Sequence, residues 1–192
     1  MVGTRMRGYM ADQFADRNEV IARFRSRAYL RCGVGQSIAR FMIVPSFDSL
    51  ISMDVFRHAP TYKGETSCFH TVWRGHSCIP SPGHEVPSPD DVTVTRIAPS
   101  RTRTIVSVVN RLRRVRLPVL PPMASGLDGM DYELFLSAGF GSTTLKFWVH
   151  VPYEWRKLVR PLRKLLRLFG EPEHAAMIGV PDRSHRRRFP GS

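Results

Sequence analysis

Two cysteines and two histidines in the first half of the chain are spaced so that they could bind a metal ion. If residues 72–74 form a short hairpin turn, Cys68 lies opposite Cys78 and His70 lies opposite His76. Side chains two residues apart on a strand share a face, so all four would point the same way. Two thiolates and two imidazoles form a tetrahedral zinc ligand set, which makes a structural zinc site one hypothesis. The alternative is that Cys68 is a small buried residue and that the histidines are exposed near a loop.

Catalytic patterns are sparse. Cys68 and His70 form at most a nucleophile–base pair, without a third residue to orient the histidine. The hypothesis that the protein is an unrecognised hydrolase therefore ranks last among the interpretations. The Gly-Val-Gly-Gln-Ser segment at residues 33–37 shares glycines with phosphate-binding loops, but a predicted helix precedes it and Gln36 replaces the lysine. We interpret this segment as a helix terminator. The sequence therefore favours a non-enzymatic protein without a cofactor, unless zinc binds at the Cys/His group.

The charge balance is the most unusual property of the chain. Its 29 Lys and Arg residues outnumber its 16 Asp and Glu residues, which gives a formal net charge of +13. Such an excess attracts phosphate polymers or acidic proteins, with a strength that falls as salt rises. The alternative is a compositional bias that needs no partner. The predicted anion-binding residues lie on the last helix and in the tail: Arg156, Lys157, Arg160, Arg163, Lys164, Arg167, Arg186, Arg187 and Arg188.

Length and composition predict one folded domain. A chain of 192 residues with 42% hydrophobic residues is long enough for a core and too short to expect two domains. No apolar run approaches the ~20 residues that span a bilayer, and no apolar run follows the first arginines as in a secretory signal. Three cysteines do not suggest a disulfide framework. These features predict a cytoplasmic protein.

The first part of the chain predicts a helix outside the main domain. Asp16 and Glu19 resemble a capping box, and apolar residues then recur at helical spacing, so we predict a helix over residues 12–31. We place residues 1–45 in a helical extension, the domain in residues 46–170 and a flexible basic tail in residues 171–192. A translation start at Met42 is an alternative that would remove most of the extension.

The rest of the chain predicts strands in pairs followed by helices. Strands are expected over residues 50–57, 66–73 and 92–97, and a hairpin over 132–149 with its loop at 139–142. A helix over residues 100–117 would be capped by Ser100, and a last helix over 155–169 would kink at Pro161 and end at Gly170. This order predicts an α+β fold, in which two helices pack on one face of a small antiparallel sheet of four or five strands.

Turn and packing residues in the second half follow a recognisable order. Asp128-Gly129 leads into Tyr132-Glu133-Leu134, then Phe147-Trp148, then Pro152 with Trp155 and a leucine-rich helix; Trp73-Arg74-Gly75 and Cys78 fit upstream. This order resembles small uncharacterised bacterial proteins with a strand-helix-hairpin-helix plan. The resemblance covers about residues 50–170 and implies a fold without an activity. Our leading expectation is therefore a basic protein that binds an anionic partner, either nucleic acid or an acidic protein.

Overall fold

The structure is a computed structural model that describes residues 18–26, 35–45, 50–59, 68–77, 92–117, 130–138, 141–148 and 151–179. Its six strands are β1 (Gln36–Pro45), β2 (Leu50–His58), β3 (Phe69–Ser77), β4 (Thr93–Arg96), β5 (Met130–Ala138) and β6 (Gly141–Trp148). Its helices are α1 (residues 18–26), α2 (Pro99–Leu112), α3 (Val159–Phe169) and α4 (Pro172–Met177), and a 3₁₀ helix (Tyr153–Leu158) precedes α3.

All six strands form one antiparallel sheet in the order β4-β3-β2-β1-β5-β6. The first four strands run as a meander from β1 outward, and the β5–β6 hairpin then adds to the other side of β1. The predicted α+β class is confirmed, with six strands in place of four or five.

The inner face of the sheet packs against α2 and α3 and forms the main core. Because side chains alternate along a strand, Phe41, Met53 and Leu134 all point to this face and are buried. The helices contribute apolar residues at helical spacing, which makes one stripe of each helix face the sheet. These buried helix residues are Ile105, Val108, Val109, Leu112, Leu162, Leu165, Leu166 and Phe169.

The outer face of the sheet is partly covered by α1. Val20, Ile21 and Phe24 of α1 form a second apolar cluster with Met42, Val44, Leu50 and Phe56 of β1 and β2. The predicted N-terminal helix is therefore present over residues 18–26. Because α1 covers the outer face, β1 carries apolar residues on its outer face as well as on its inner face. The capping residue Asp16 lies outside the described residues.

The predicted boundary between extension and domain at residue 45 is wrong. Residues 36–45 form β1, which pairs with β2 on one side and with β5 on the other. Met42 lies in the second half of this strand, so a chain that began there would lack most of the central strand. β1 was not predicted because both of its faces are buried, so its sequence lacks the alternation of apolar and polar residues that marks a half-exposed strand.

The hairpin at residues 72–74 that the zinc hypothesis requires does not form. These residues lie inside β3, where Val72 pairs with Val55 and Trp73 pairs with Asp54 and with Arg96 of β4. The segment contains none of the residues that favour tight turns, and its valine and tryptophan fit a strand that has a neighbour on each side.

Helix ends differ from the sequence prediction in two places. α2 begins at Pro99 with Ala98 as its N-cap, and no side chain caps it, so Ser100 does not have the predicted role. Pro161 does not kink a long helix, because the 3₁₀ helix ends at Leu158 and Pro161 falls in the first turn of α3. Proline is tolerated there because first-turn N–H groups have no intrahelical partner. Gly170 ends α3 with a left-handed φ of 87°, as predicted.

The predicted flexible tail begins too early. Residues 172–177 form α4, and Ala175 and Ile178 are fully buried in the main core. Arg163 of α3 donates a hydrogen bond from Nε to the carbonyl oxygen of Ile178 at 2.7 Å. Residues 171–179 therefore belong to the domain, and residues 180–192 lie outside the described part. None of the described helices has the length and apolar character that a membrane span requires.

Candidate functional site

Positive charge is concentrated on the helices that cover the inner face. Residues 99–117 and 151–179 hold twelve Arg and Lys residues but only three Glu residues, and they include no Asp. Most of the net charge of +13 is therefore carried by one layer of the fold. Because the apolar stripe of each helix faces the sheet, ten of these twelve cations lie on the opposite arc and are exposed, whereas Arg113 and Arg163 are half-buried.

Seven exposed cations define what we call the basic helical surface. One lies in the last turn of α2, one in the turn that follows it, two on the 3₁₀ helix and three on α3: Arg111, Arg114, Arg156, Lys157, Arg160, Lys164 and Arg167. Five of the six cations predicted on the last helix are exposed, and whether that face binds an anion stays a prediction. Arg186, Arg187 and Arg188 lie outside the described residues.

Two of the predicted anion-binding arginines also serve local structure. Arg163 is half-buried and its Nε bonds to Ile178, as described above, so part of its role is to hold residues 171–179 on the domain. The guanidinium of Arg156 lies 4.5 Å from the ring centroid of Tyr153. This contact orients Arg156 but leaves it exposed.

Acidic side chains do little to neutralise this surface. Glu171 points inward and accepts a hydrogen bond from Arg74 Nε of β3 at 2.8 Å. Glu154 is half-buried with a partner of its own, and Glu173 is exposed on the short helix α4. No ion pair joins a carboxylate to the seven cations of the basic helical surface within the part of the chain that the structure describes.

The Cys/His group is not brought together by the fold. His70 and His76 lie on one continuous strand, and the five residues between them hold them about 20 Å apart. Cys68 precedes this strand, and Cys78 lies outside the described residues. Among the residues that the structure describes, no three His, Cys, Asp or Glu side chains are placed to hold a metal ion. The zinc hypothesis therefore loses the hairpin on which it depended.

Cys68 and His70 do not form a nucleophile–base pair either. Arg57 of β2 donates a hydrogen bond from Nη2 to Cys68 Sγ at 3.2 Å, and no hydrogen bond links Cys68 to His70. Burial lowers the pKa of His70 below its ordinary value of 6.5, and electrostatic interactions with Arg57 and His58 lower it further. This end of the sheet is thus electropositive, which disfavours another cation and favours an anion.

A buried polar network on the outer face was missed at the sequence level. Arg40 of β1 lies opposite Asp54 of β2, and its Nε donates to Asp54 Oδ1 at 3.0 Å. Arg40 also donates from Nη1 to the carbonyl oxygen of Arg25 at 2.6 Å, and Ser52 Oγ donates to Asp54 Oδ2 at 2.8 Å. From the sequence alone, charged and polar residues such as Arg40, Ser52 and Asp54 would be expected to face solvent. Only the packing of α1 against the outer face shows that they are buried.

Glu133 extends this network to β5 and β6. Arg25 of α1 and Lys146 of β6 both form ion pairs with its carboxylate. Burial by itself raises the pKa of Glu133, but hydrogen bonds from Arg25 and Lys146 outweigh burial and hold that pKa below its ordinary value. A groove of about 550 Å³ lies beside these groups. Since its cations already have carboxylate or carbonyl partners, the network ties α1 to the sheet and offers less free charge than the basic helical surface.

Comparison with protein-family models, with curated proteins and with solved structures gives no match for this chain. The resemblance to small bacterial proteins therefore stays a prediction.

Proposed function

We propose that this chain is a nucleic-acid-binding protein that contacts the phosphate backbone through the basic helical surface. The observation that carries the proposal is the concentration of exposed cations on α2, the turn that follows it, the 3₁₀ helix and α3, where none of the seven forms an ion pair within the described ranges. A purely compositional excess of arginine would have no reason to favour one layer of the fold. The excess on the sheet strands and on α1 is small by comparison, and several cations there are already paired with carboxylates.

The shape and chemistry of the surface favour phosphates over other anions. α3 has 11 residues and is roughly 16 Å long, and duplex DNA carries about one charge per 1.7 Å of its axis. Several phosphates therefore fit along this helix at once. Five of the seven cations are arginines, whose planar guanidinium binds phosphate oxygens in a bidentate manner. Recognition through backbone phosphates fixes position and does not by itself read sequence.

The direct test is fluorescence anisotropy with a labelled single strand and a labelled duplex, using the full chain. We expect binding to weaken by about 10³ or more between roughly 50 and 200 mM salt, as for proteins that contact several phosphates. The double variant Arg160→Gln/Arg167→Gln should bind about ten-fold more weakly at fixed salt. The matched control Arg23→Gln/Lys146→Gln removes the same charge from the opposite side of the sheet and should bind like the native chain.

Three results would overturn the proposal. One is the absence of binding at the lowest salt, and another is equal weakening by the two double variants, which would indicate a response to net charge alone. The third is tighter binding to poly-glutamate than to nucleic acid at the same salt, because that result would assign the surface to an acidic protein. Purification offers an early indication, since bound nucleic acid raises the ratio of absorbance at 260 and 280 nm until a high-salt wash removes it.

A further inference from the structure

A cleft separates the start of β3 from the first two turns of α2. Its volume is about 470 Å³, which lies within the roughly 300–1,000 Å³ typical of small-molecule sites. Cys68 and His70 line one side, and Pro99, Thr102 and Val106 line the other. The basic helical surface does not contribute to its lining, so the cleft is a separate feature of the molecule.

The polar lining of the cleft suits an anion. Arg96 and Arg103 both line it, both are exposed, and neither forms an ion pair within the described ranges. No Asp or Glu is among the described residues of its wall. Arg57 lies just behind Cys68, to which it donates its hydrogen bond. The guanidinium of Arg96 lies 5.9 Å from the ring centroid of Trp73 but remains exposed. Together with Arg103 and a neutral imidazole, it can donate several hydrogen bonds to a phosphate group.

The start of α2 adds to the positive potential. Its first turn contains no acidic residue and no side chain caps it, so its positive dipole end is not neutralised locally. The N–H groups of Arg101 and Thr102 are satisfied by the carbonyl oxygen of Ala98, at 3.0 and 3.1 Å. The helix N-terminus therefore contributes a positive electrostatic potential but no free N–H donors from Arg101 or Thr102. Direct hydrogen bonds to an anion would come from the arginine side chains.

An apolar patch lies beside these cations. Phe69 lines the cleft with 44% of its surface exposed, and its ring stacks on His58 with 4.6 Å between the centroids. Ile97 and Val106 line the same cleft. An exposed aromatic ring that is held by a second ring on one side offers a stacking surface to a flat group on the other side.

We infer that this cleft binds a nucleotide: its phosphate monoester contacts Arg96 and Arg103, and its base packs against Phe69. The nucleotide is either free or the phosphorylated end of a single strand, and both present the same chemistry to the cleft. Binding here does not depend on the basic helical surface, which lies elsewhere on the helices.

Cys68 provides a reporter for the test because it is exposed and lines the cleft. The rate at which uncharged iodoacetamide alkylates Cys68 is followed by peptide mass spectrometry, with Cys32 and Cys78 as internal references. At constant ionic strength, adenosine monophosphate at about ten times its dissociation constant should slow alkylation of Cys68 about ten-fold. Adenosine should not protect Cys68, and inorganic phosphate should protect it only at much higher concentration.

Two variants separate a specific site from a general charge effect. Arg103→Gln should raise the adenosine monophosphate concentration for half-protection about ten-fold. Arg101→Gln removes an equal charge two residues away, from a side chain that does not line the cleft, and should leave protection unchanged. Protection by phosphorylated and by unphosphorylated tetra-adenylate is then compared with protection by the free nucleotide. If the phosphorylated strand protects Cys68 at a lower concentration than adenosine monophosphate does, the ligand is the phosphorylated end of a strand.

The inference is overturned if adenosine monophosphate leaves the alkylation rate unchanged, if adenosine protects equally well, or if inorganic phosphate protects at the same concentration as the nucleotide. These outcomes are distinct from failure of the proposed function. Arg160→Gln/Arg167→Gln should weaken binding to nucleic-acid backbones while leaving protection of Cys68 by the free nucleotide intact, so each surface can fail without the other.

Discussion

Arg40 and Asp54 lie directly opposite each other on β1 and β2, with the charged groups of both side chains removed from solvent. Their hydrogen bond crosses the centre of the outer face, and Arg40 continues it to the backbone of α1 through Arg25. A charged pair at this position is sensitive to the loss of either member, because the buried charge that remains then lacks its ion-pair partner.

Removal of one member of this pair should be strongly destabilising. We expect Arg40→Met to lower the free energy of unfolding by about 3–5 kcal/mol, because Asp54 stays buried after the loss of its ion pair with Arg40. Arg40→Met combined with Asp54→Leu should recover most of that loss, since the double variant buries no charge. Urea denaturation with comparison of midpoints and m-values measures both effects. Equal losses for the single and the double variant would contradict this account.

Glu133 should give the protein a defined acid sensitivity. A carboxylate whose pKa is lowered in the folded state contributes stability above its unfolded pKa, and that stability is lost as pH falls through the folded value. Glu133→Gln should therefore cost about 1–2 kcal/mol near pH 7, a figure reduced by the partial exposure of Arg25 and Lys146. The difference between native and variant should shrink as pH falls below 4.5, the ordinary pKa of the group. A difference that is independent of pH would exclude this cause.

Gly35 is required by the close approach of β1 to β2. A Cβ atom at this position would overlap the carbonyl oxygen of Arg57 and lie 2.8 Å from His58 Nδ1. Because the obstacle includes backbone, Gly35→Ala must shift the start of β1, at an expected cost of about 1–3 kcal/mol. Thermal unfolding of the two proteins would reveal this loss, and an unchanged melting temperature would rule out the predicted overlap.

Gly170 is required for a different reason. Nothing lies within 4 Å of a Cβ built at this position, but its φ of 87° is left-handed. Gly170→Ala should therefore cost about 1–2 kcal/mol, whereas Gly170→Asn should cost less because asparagine tolerates this conformation. Chemical denaturation of the two variants tests the order, and a larger loss for asparagine would indicate that space rather than conformation limits the site.

The slope of log affinity against log salt should show how many cations contact phosphates. If Arg160 contacts a phosphate, Arg160→Gln should reduce the slope of log affinity against log salt by about 0.7–0.9. Arg163→Gln should act mainly on stability, by about 1 kcal/mol, because Arg163 Nε bonds to Ile178. Anisotropy titrations at four salt concentrations distinguish the two, and identical slopes for Arg160→Gln and the native chain would remove Arg160 from the interface.

Elements with strong periodicity were predictable from the sequence, and elements buried on both sides were not. One buried face is indicated by the apolar stripes of α2 and α3, and likewise by Tyr132 and Leu134 at alternate positions of β5. In the structure these apolar residues are buried in the main core. β1 carries apolar residues on both faces and therefore lacks such a pattern. A strand was predicted up to Trp73, but the continuation of β3 to Ser77 was missed because its pairing with β2 and β4 is non-local, and no residue type within the strand reveals it.

Site residues follow the same logic. The cationic arc of α3 could be predicted because a helix that buries its leucines must expose what lies opposite. The cleft at α2 brings together residues of β3, β4 and α2 from well-separated parts of the sequence, so no spacing rule finds it. Arg40 and Glu133 occupy strand positions that normally face water, and only the packing of α1 on the outer face makes them interior residues.

The position of β1 at the centre of the sheet also has a consequence during synthesis. Ala39 leaves the ribosome long before Leu136, the residue with which it pairs on β5. At about 5–20 residues per second, the delay is roughly 5 to 20 s. During that interval the meander of β1 to β4 exposes the unpaired edge of its most apolar strand, a template for association with other chains. The nascent chain is therefore most prone to aggregation just before the β5–β6 hairpin is made, and a ribosome-bound chaperone would protect it at that stage.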